Sequence, residues 1–198
     1  MLEQMVAIRE QPPVKNSVDW RVIVACQQGD RSALRTLFEV YKDRVYSIAV
    51  YSLGGDQTAA ADVTQQVFLK LMTRIVQFRG DSEFTTWLYR LVVNTCHDER
   101  RKQTRFVALP EADTFSAPAT PSPRREYARK ELSQRVQVAV AKLKPKLRWP
   151  ILLKYVEGLS YEEIANVLGC SKGTVASRLN RGHKALAKGL QHLRDQLD

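Results

Sequence analysis

The sequence is short of several features that define large classes of protein. It has only three cysteines, Cys26, Cys96 and Cys170. They are far apart and odd in number, so they form neither a disulfide framework nor a Cys-x-x-Cys metal site. The apolar stretches, such as residues 45–53, fall short of the ~20 residues that a membrane-spanning helix needs. The first ten residues lack the basic and then apolar order of a secretory signal. These absences predict a cytoplasmic protein without a metal or cofactor, in which the cysteines are small buried or half-buried side chains.

Acidic side chains are also scarce relative to basic ones, and the imbalance is local. The chain has 31 Lys and Arg against 21 Asp and Glu, a formal charge of +10. Residues 1–123 hold 15 basic and 14 acidic side chains, whereas residues 124–198 hold 16 and 7. A smaller basic run, residues 99–105, ends the first part. Such blocks are either solvated helix faces or contacts with nucleic acid or an acidic partner.

The spacing of apolar residues predicts an all-α protein of two small helical domains. Apolar residues recur three and four apart, as at Leu34, Phe38 and Tyr41, and no period-two strand pattern or internal repeat is present. Residues 106–123 contain four prolines and no glycine, the composition of an extended tether. A chain of 198 residues accommodates two such domains but not a barrel enzyme. We predict a flexible tail over residues 1–18, a helical domain over 19–105, a linker over 106–125 and a second helical domain over 126–198.

Residues 158–180 carry the most informative local pattern. Ser160 and Glu163 match the S-x-x-E capping box at a helix start. Gly169 fits the left-handed residue that ends this helix, and Ser171 fits the cap of the next. The spacing is typical of a DNA-binding helix-turn-helix. An ordinary helical hairpin shares the caps and the apolar spacing and is the alternative interpretation.

The predicted exposed face of the second helix carries side chains that bond DNA. Arginine binds guanine through two hydrogen bonds, asparagine binds adenine, and serine or threonine bonds either bases or the backbone. The candidates for base reading are Ser177, Asn180 and Arg181. The candidates for phosphate contact are Lys172, Arg178 and Lys184, and Thr174 lies on the same face.

Two further segments resemble one known family. Residues 78–102, FRGDSEFTTWLYRLVVNTCHDERRK, closely resemble the promoter-melting segment of the extracytoplasmic-function (ECF) sigma factors, a branch of the sigma-70 family, in which F-R-G-x-S-x-F-x-T-W-L-Y-R recurs. Residues 61–70, ADVTQQVFLK, are similar to a family helix with the pattern D-[LV]-x-Q-[ED]-x-F-[LI]-[KR]. The C-terminal segment resembles the family's second DNA-binding domain. The resemblance spans residues 19–105 and 126–192 in the family's order.

The resemblance implies a function and a set of partners. The protein would be a sigma factor that binds RNA polymerase core, directs it to specific promoters and promotes initiation by melting the minus-ten region. It would be a specificity subunit without catalytic activity of its own. Family members often have an anti-sigma factor, frequently membrane-bound, so the resemblance implies such a partner and a cytoplasmic protein held at the membrane through it.

The resemblance also implies roles for individual residues. The residues expected to bind core polymerase are Asp62, Gln65, Gln66, Phe68 and Leu69. Those expected at the minus-ten element are Lys70, Phe78, Arg79, Phe84, Tyr89, Arg90, Asn94, Arg100, Arg101 and Lys102. The helix-turn-helix face listed above would contact the minus-thirty-five element. The family commonly has an acid at the position of Gln66, so one charged contact with core polymerase is expected to be missing. It commonly has Arg or Lys at the position of Ala176 and an aromatic residue or His at that of Asn180, and these two departures predict an unusual minus-thirty-five preference.

Two other classes of function compete with this interpretation. A stand-alone helix-turn-helix regulator explains the basic C-terminal part but leaves residues 78–102 without a role. An enzyme is the least supported class. His97 and Asp98 are adjacent on a predicted helix and so point apart, and no nucleophile, phosphate loop or metal-ligand set accompanies them.

Overall fold

A computed structural model of the chain describes residues 18–106 and 124–190; most of the predicted N-terminal tail and most of the predicted linker lie outside them. Every regular element in the described residues is helical, which confirms the all-α class. The first part contains α1 (Trp20–Gln27), α2 (Arg31–Ser52), α3 (Gln57–Arg74), a 3-10 turn (Ile75–Gln77) and α4 (Phe84–Phe106). The second part contains α5 (Arg124–Lys142), α6 (Pro145–Tyr155), α7 (Tyr161–Leu168) and α8 (Lys172–Gly189).

Aspartate side chains begin the first three helices. Asp19 accepts a hydrogen bond from the Arg21 amide, and Asp56 accepts one from the Ala59 amide. Asp30 accepts from the Ser32 hydroxyl and amide at 2.8 and 2.7 Å, and these hydrogen bonds lower the pKa of its carboxyl. Each cap satisfies an amide that has no partner within its own helix, so the chain fixes where these helices start.

Helices α2, α3 and α4 form the core of the first part. Each contributes a stripe of buried side chains spaced three or four residues apart, as helices that bury one face must. The fully or almost fully buried members include Leu37, Tyr41, Val45, Ile48, Val63, Val67, Leu71, Leu88, Val92 and Cys96. This packing holds the outer faces of α3 and α4 side by side.

The second part has its own core, and an arginine is buried in it. Ile151, Ile164, Val175 and Leu179 are almost fully buried between α6, α7 and α8. Arg148 on α6 donates hydrogen bonds to the carbonyls of three residues at the end of α5, and burial lowers the pKa of its guanidinium to about 10. Arg148 thus supplies donors to carbonyls that a helix end leaves unpaired. The carbonyls are those of Val140, Ala141 and Leu143.

The two parts pack directly against each other. Helix α2 contacts α5 and α6, and α4 contacts α7. The sequence predicts two domains joined by a linker, but nothing in its local patterns predicts this interface. The contacts come from side chains far apart in the chain, including a hydrogen bond of 2.8 Å from the Trp149 indole N–H to His97 Nε2.

Acidification should weaken the contact between α4 and α6. The Trp149 indole can donate only to an unprotonated His97 Nε2, and burial, assisted by neighbouring arginines, lowers the pKa of His97 below its usual 6.5. The arginines are Arg148, Arg101 and Arg100, and Asp98 opposes them. Because the unfolded chain takes up the proton at a higher pH than the folded chain, stability should fall as the pH drops through about 6.5.

Thermal unfolding at pH 7.5 and pH 5.5 tests this expectation. The matched variant is His97→Gln, whose amide oxygen can still accept from Trp149 but does not titrate. Burial also lowers the pKa of His183, so some pH dependence remains in the variant. Between pH 7.5 and pH 5.5, the midpoint temperature of unfolding should fall more for the parent chain than for the variant. Equal falls would rule out His97 as a source of the pH dependence.

Candidate nucleic-acid and partner interfaces

The predicted polymerase-binding residues lie on α3, and most of them face solvent. Asp62, Gln65 and Leu69 are exposed, and Gln66 is half-buried. Phe68 differs, because its ring packs against Phe38 of α2 at 4.8 Å and is almost fully buried. Phe68 therefore supports the surface from below in this arrangement, and its direct contact with polymerase stays a prediction.

An apolar stripe on α3 and the 3-10 turn that follows it extends beyond the residues that the sequence identified. Leu69, Met72 and Val76 are 56%, 53% and 62% exposed and follow one another at three and four residues. Isolated exposed apolar side chains are ordinary, but a run along one helix face indicates a contact surface. The spacing of Met72 and Val76 was visible in the sequence. Their exposure was not, because either could have faced the core.

The minus-ten candidates on α4 are divided between its outer and inner faces. Arg90 and Asn94 are exposed and one helical turn apart. Lys70 of α3 lies beside them, donating to Thr95 Oγ1 at 3.1 Å and pairing with Asp98 at 3.5 Å. Together these side chains form a polar face across α3 and α4.

Several predicted minus-ten residues lie inside the protein. Tyr89 is fully buried, with its hydroxyl donating to Glu157. Phe78 and Phe84 are almost fully buried, and Arg100 donates to the Ser52 carbonyl at 2.8 Å, at the end of α2. Arg79, Arg101 and Lys102 are exposed. Arg100 is half-buried, so of this group only Tyr89, Phe78 and Phe84 lie away from solvent, and their roles at the minus-ten element stay predictions.

The buried aromatic residues form one wall of a cleft. Phe78 and Phe84 meet edge to face, with centroids 5.6 Å apart, and Trp20 lies 6.1 Å from Phe78. With Tyr41 and Glu83 they line a cleft of about 390 Å³. Trp20 is half-exposed at the cleft. The cleft therefore offers both aromatic faces and polar groups.

The C-terminal segment has the helix-turn-helix geometry that its sequence predicts. The Ser160 amide donates to the Glu163 carboxylate at 2.7 Å, and the Glu163 amide donates to the Ser160 hydroxyl at 3.2 Å, which confirms the capping box. Gly169 has φ 61° and ψ 44°, the left-handed conformation that ends α7. The Ser171 hydroxyl accepts from the Thr174 amide and begins α8. All three local predictions are confirmed.

The outer face of α8 carries the predicted DNA-contacting residues. Arg181 lies against Ser177, donating to its carbonyl and hydroxyl at 3.3 Å each. Lys172 pairs with Glu162 of α7 at 2.7 Å. The exposed members of the predicted set are Lys172, Ser177, Asn180, Arg181 and Lys184, and the half-buried ones are Thr174 and Arg178. The structure thus leaves the base-reading candidates on an open face.

Comparison with known proteins agrees with this architecture. The family model for Sigma-70 region 2 matches residues 37–106, and that for Sigma-70 region 4 matches residues 133–186. The RNA polymerase sigma-H factor of Pseudomonas aeruginosa is 35% identical over 184 residues, which cover 88% of this chain and 95% of that protein. The ECF RNA polymerase sigma-E factor of Escherichia coli is 35% identical over 185 residues, again covering 88% and 95%. A solved structure of CnrH in complex with the cytosolic domain of CnrY is similar with a TM-score of 0.67 and 26% identity, covering 88% of this chain and 97% of that chain.

These matches extend over both parts of the chain, in the order that the sequence motifs indicate. The chain therefore belongs to the sigma-70 family, in its ECF branch. It is a sigma factor, the specificity subunit with which RNA polymerase initiates transcription at promoters. In the part of the chain that the structure describes, no helix is long and apolar enough to span a bilayer.

Proposed function

We propose that two surfaces of this sigma factor read the two promoter elements. The face of α8 would enter the major groove at the minus-thirty-five element, and the polar face of α3 and α4 would contact the minus-ten element. The observation that carries the proposal is the open face of α8, which presents Ser177, Asn180 and Arg181 from a correctly capped helix-turn-helix. The second helix of a DNA-binding helix-turn-helix lies in the major groove, where its side chains contact the edges of the bases.

The minus-ten surface would favour the melted strand over the duplex. Asn94 and Arg90 can bond base edges and phosphates, and Arg79, Arg101 and Lys102 add exposed positive charge. Stacking of an unpaired base on an aromatic side chain contributes about 1–3 kcal/mol. The half-exposed Trp20, at a cleft that also has Phe78 and Phe84 in its wall, offers such a face. Because such a surface would bind the unpaired strand more tightly than the duplex, binding itself would drive melting, and no hydrolysis of ATP would be needed.

Core polymerase would bind the outer face of α3. Asp62 and Gln65 supply polar contacts there, and the stripe of Leu69, Met72 and Val76 supplies apolar area. Interfaces are strongest where apolar side chains are buried at the centre and polar ones surround them. The exposed stripe with polar neighbours matches that pattern.

A protein inhibitor would control the chain. CnrH, which has a similar fold, was solved in complex with the cytosolic domain of CnrY, so a chain of this fold can form a complex with a domain of another protein. We propose an anti-sigma factor as partner, action in the cytoplasm, and no catalytic activity in the chain itself. Co-purification from the native cell tests the partner, and recovery of the chain with polymerase subunits only would contradict it.

Footprinting of unpaired thymines tests the melting proposal. Core polymerase, the chain and DNA fragments from its source genome are mixed and treated with permanganate. Thymines at one position relative to each start site should react only when both proteins are present. Reactivity that needs the chain alone, or none at all, would contradict the proposal. Asn94→Ala should lower the reactivity and leave binding of the chain to core polymerase unchanged.

Two substitutions on α8 should separate base reading from phosphate contact. Arg181→Ala should weaken binding to the preferred minus-thirty-five sequence by about 1–3 kcal/mol and relax selectivity there. Lys184→Ala should weaken binding to all sequences alike and reduce the salt slope by about one. Holoenzyme binding to matched and mutated promoter fragments at several salt concentrations measures both quantities. Equal losses of selectivity in the two variants would contradict these assignments.

A further inference from the structure

One acidic side chain lies within the basic surface that we assign to the minus-ten element. Asp98 is on α4, one helical turn beyond Asn94 and just before the exposed Arg101 and Lys102. Its side chain is 56% exposed. An acid here is unfavourable for binding phosphates, because duplex DNA carries one negative charge per about 1.7 Å of its axis. The presence of Asp98 on this face therefore calls for a reason.

Asp98 neutralises a lysine of the same surface. Lys70 Nζ lies 3.5 Å from Asp98 Oδ2 and donates a hydrogen bond of 3.1 Å to Thr95 Oγ1. Thr95 is fully buried, and its hydroxyl donates in turn to the Leu91 carbonyl at 2.8 Å. Two contacts, one of them to a buried hydroxyl, thus hold the ammonium group of Lys70 against α4. Because this charge is already paired, Lys70 adds little to the attraction of the surface for phosphates.

The paired lysine on the other DNA surface is held less firmly. Lys172 lies 2.7 Å from Glu162, but the two side chains are 60% and 67% exposed. Pairs of exposed side chains exchange readily with water and salt. The Lys70 side chain is only 33% exposed, and its second contact is to the buried Thr95. A phosphate should therefore displace the acid more easily from Lys172 than from Lys70.

We propose that Asp98 is a specificity-determining residue that makes the minus-ten surface favour the melted strand over the duplex. The inference rests on the proposed contact of this surface with the minus-ten element. A duplex presents the phosphates of two strands and a melted strand those of one, so the charge density falls by about half on melting. An acid beside a neutralised Lys70 therefore weakens binding of the duplex more than binding of the open strand. Hydrogen bonds from Asn94 to base edges do not depend on this charge and are kept.

Asp98→Asn should strengthen binding of the duplex, because it removes the acid and leaves the Lys70 ammonium available to a phosphate. The probe is a promoter fragment mapped by the permanganate experiment and kept at low temperature, so that the duplex stays closed. Holoenzyme with the variant should bind it about threefold or more tightly, and the salt slope should steepen by about one. The same fragment with mismatches over its reactive region should gain less. The preference for the mismatched over the paired probe should therefore fall by about twofold or more.

Two further variants separate the charge of Asp98 from other effects. Lys70→Ala in the Asp98→Asn background restores the net charge of the pair, so affinity for the paired probe should return to within about twofold of the parent. Glu39→Gln is the matched control, since it removes an exposed carboxylate that pairs with Lys42 on α2. It should leave the preference between the two probes unchanged. Circular dichroism checks that each variant is folded.

The outcomes distinguish this inference from the proposed function on which it rests. Unchanged affinity and salt slope in Asp98→Asn would overturn the role of Asp98. Weaker binding would overturn it as well, because Asp98 would then support the contact of Lys70 with DNA. Arg101→Ala in the same assay should weaken binding of both probes. If neither Arg101→Ala nor Asn94→Ala has an effect, the proposed contact of α4 with DNA is overturned; if only Asp98→Asn has none, that contact stands.

Discussion

Replacement of Leu69 and Met72 together by aspartate should abolish promoter-specific transcription while leaving the fold intact. Each side chain is more than half exposed on α3, so neither contributes much to the core. Burial of a leucine or methionine at an interface contributes about 1.5–3 kcal/mol, so loss of both should weaken polymerase binding by about 100-fold or more. Two buried carboxylates would add a desolvation penalty to that loss.

Size-exclusion chromatography of the double variant with core polymerase measures this loss, and run-off transcription measures its consequence. Thr58→Asp is the matched control, since it places an acid at an exposed position on the same helix, eleven residues before Leu69. The control should bind and transcribe as the parent does, and all three proteins should unfold at similar temperatures. A double variant that still co-elutes with polymerase would show that α3 is not the docking helix.

The second large effect is the loss of stability expected from Gly182→Val, at the point where α8 crosses α6. A Cβ atom at Gly182 would lie 3.0 Å from Ile151 Cγ1 and 3.2 Å from its Cδ1, and Ile151 is fully buried. A packed core side chain has little room to move, so the methyl groups of Gly182→Val should force the two helices apart. Such overpacking costs about 1–3 kcal/mol of unfolding free energy.

Gly189→Ala is the control for this substitution. Gly189 lies on the same helix, and a Cβ there would meet nothing within 4 Å. The alanine should be neutral or should stabilise the helix by up to about 1 kcal/mol, through helix propensity alone. Urea unfolding of both variants gives the free energies. A Gly182→Val variant as stable as the parent would show that α6 and α8 are less closely packed than these distances indicate.

The helix-turn-helix was the most predictable part of the molecule because its determinants are local. The Ser160 and Glu163 contacts join residues three apart, and the left-handed Gly169 and the Ser171 cap depend only on their immediate neighbours. Residue types with strong local preferences therefore determine where these two helices end and begin without long-range contacts. The same holds for the aspartate caps of the first helices.

The exposure of individual site residues was less predictable, because it depends on what packs against each helix. The spacing of Val63 and Val67 identifies one buried face of α3. It does not reveal that Phe38 from α2 covers Phe68, nor that Met72 stays uncovered. Periodicity defines a face, and tertiary contacts decide how far the buried region extends around the helix.

The contact between the two parts was not predictable from the sequence at all. Glu157 pairs with Arg44 and Tyr89 across 113 and 68 positions of the chain. A lone glutamate before a glycine carries no local signal of such a partner. The interface thus includes a buried acid whose partners lie far away in the chain, and no local charge pattern indicates such a pairing.

Run-off transcription from a library of source-genome fragments tests the central claim most directly. Core polymerase and the chain are incubated with the library, and the 5′ ends of the transcripts are mapped. We expect transcripts from a limited set of fragments that share two short motifs at a constant spacing upstream of the start. Arg181→Ala should relax the upstream motif, and Asn94→Ala should weaken use of the downstream one. A set of transcripts identical to that of core polymerase alone would contradict the assignment of promoter recognition to this chain.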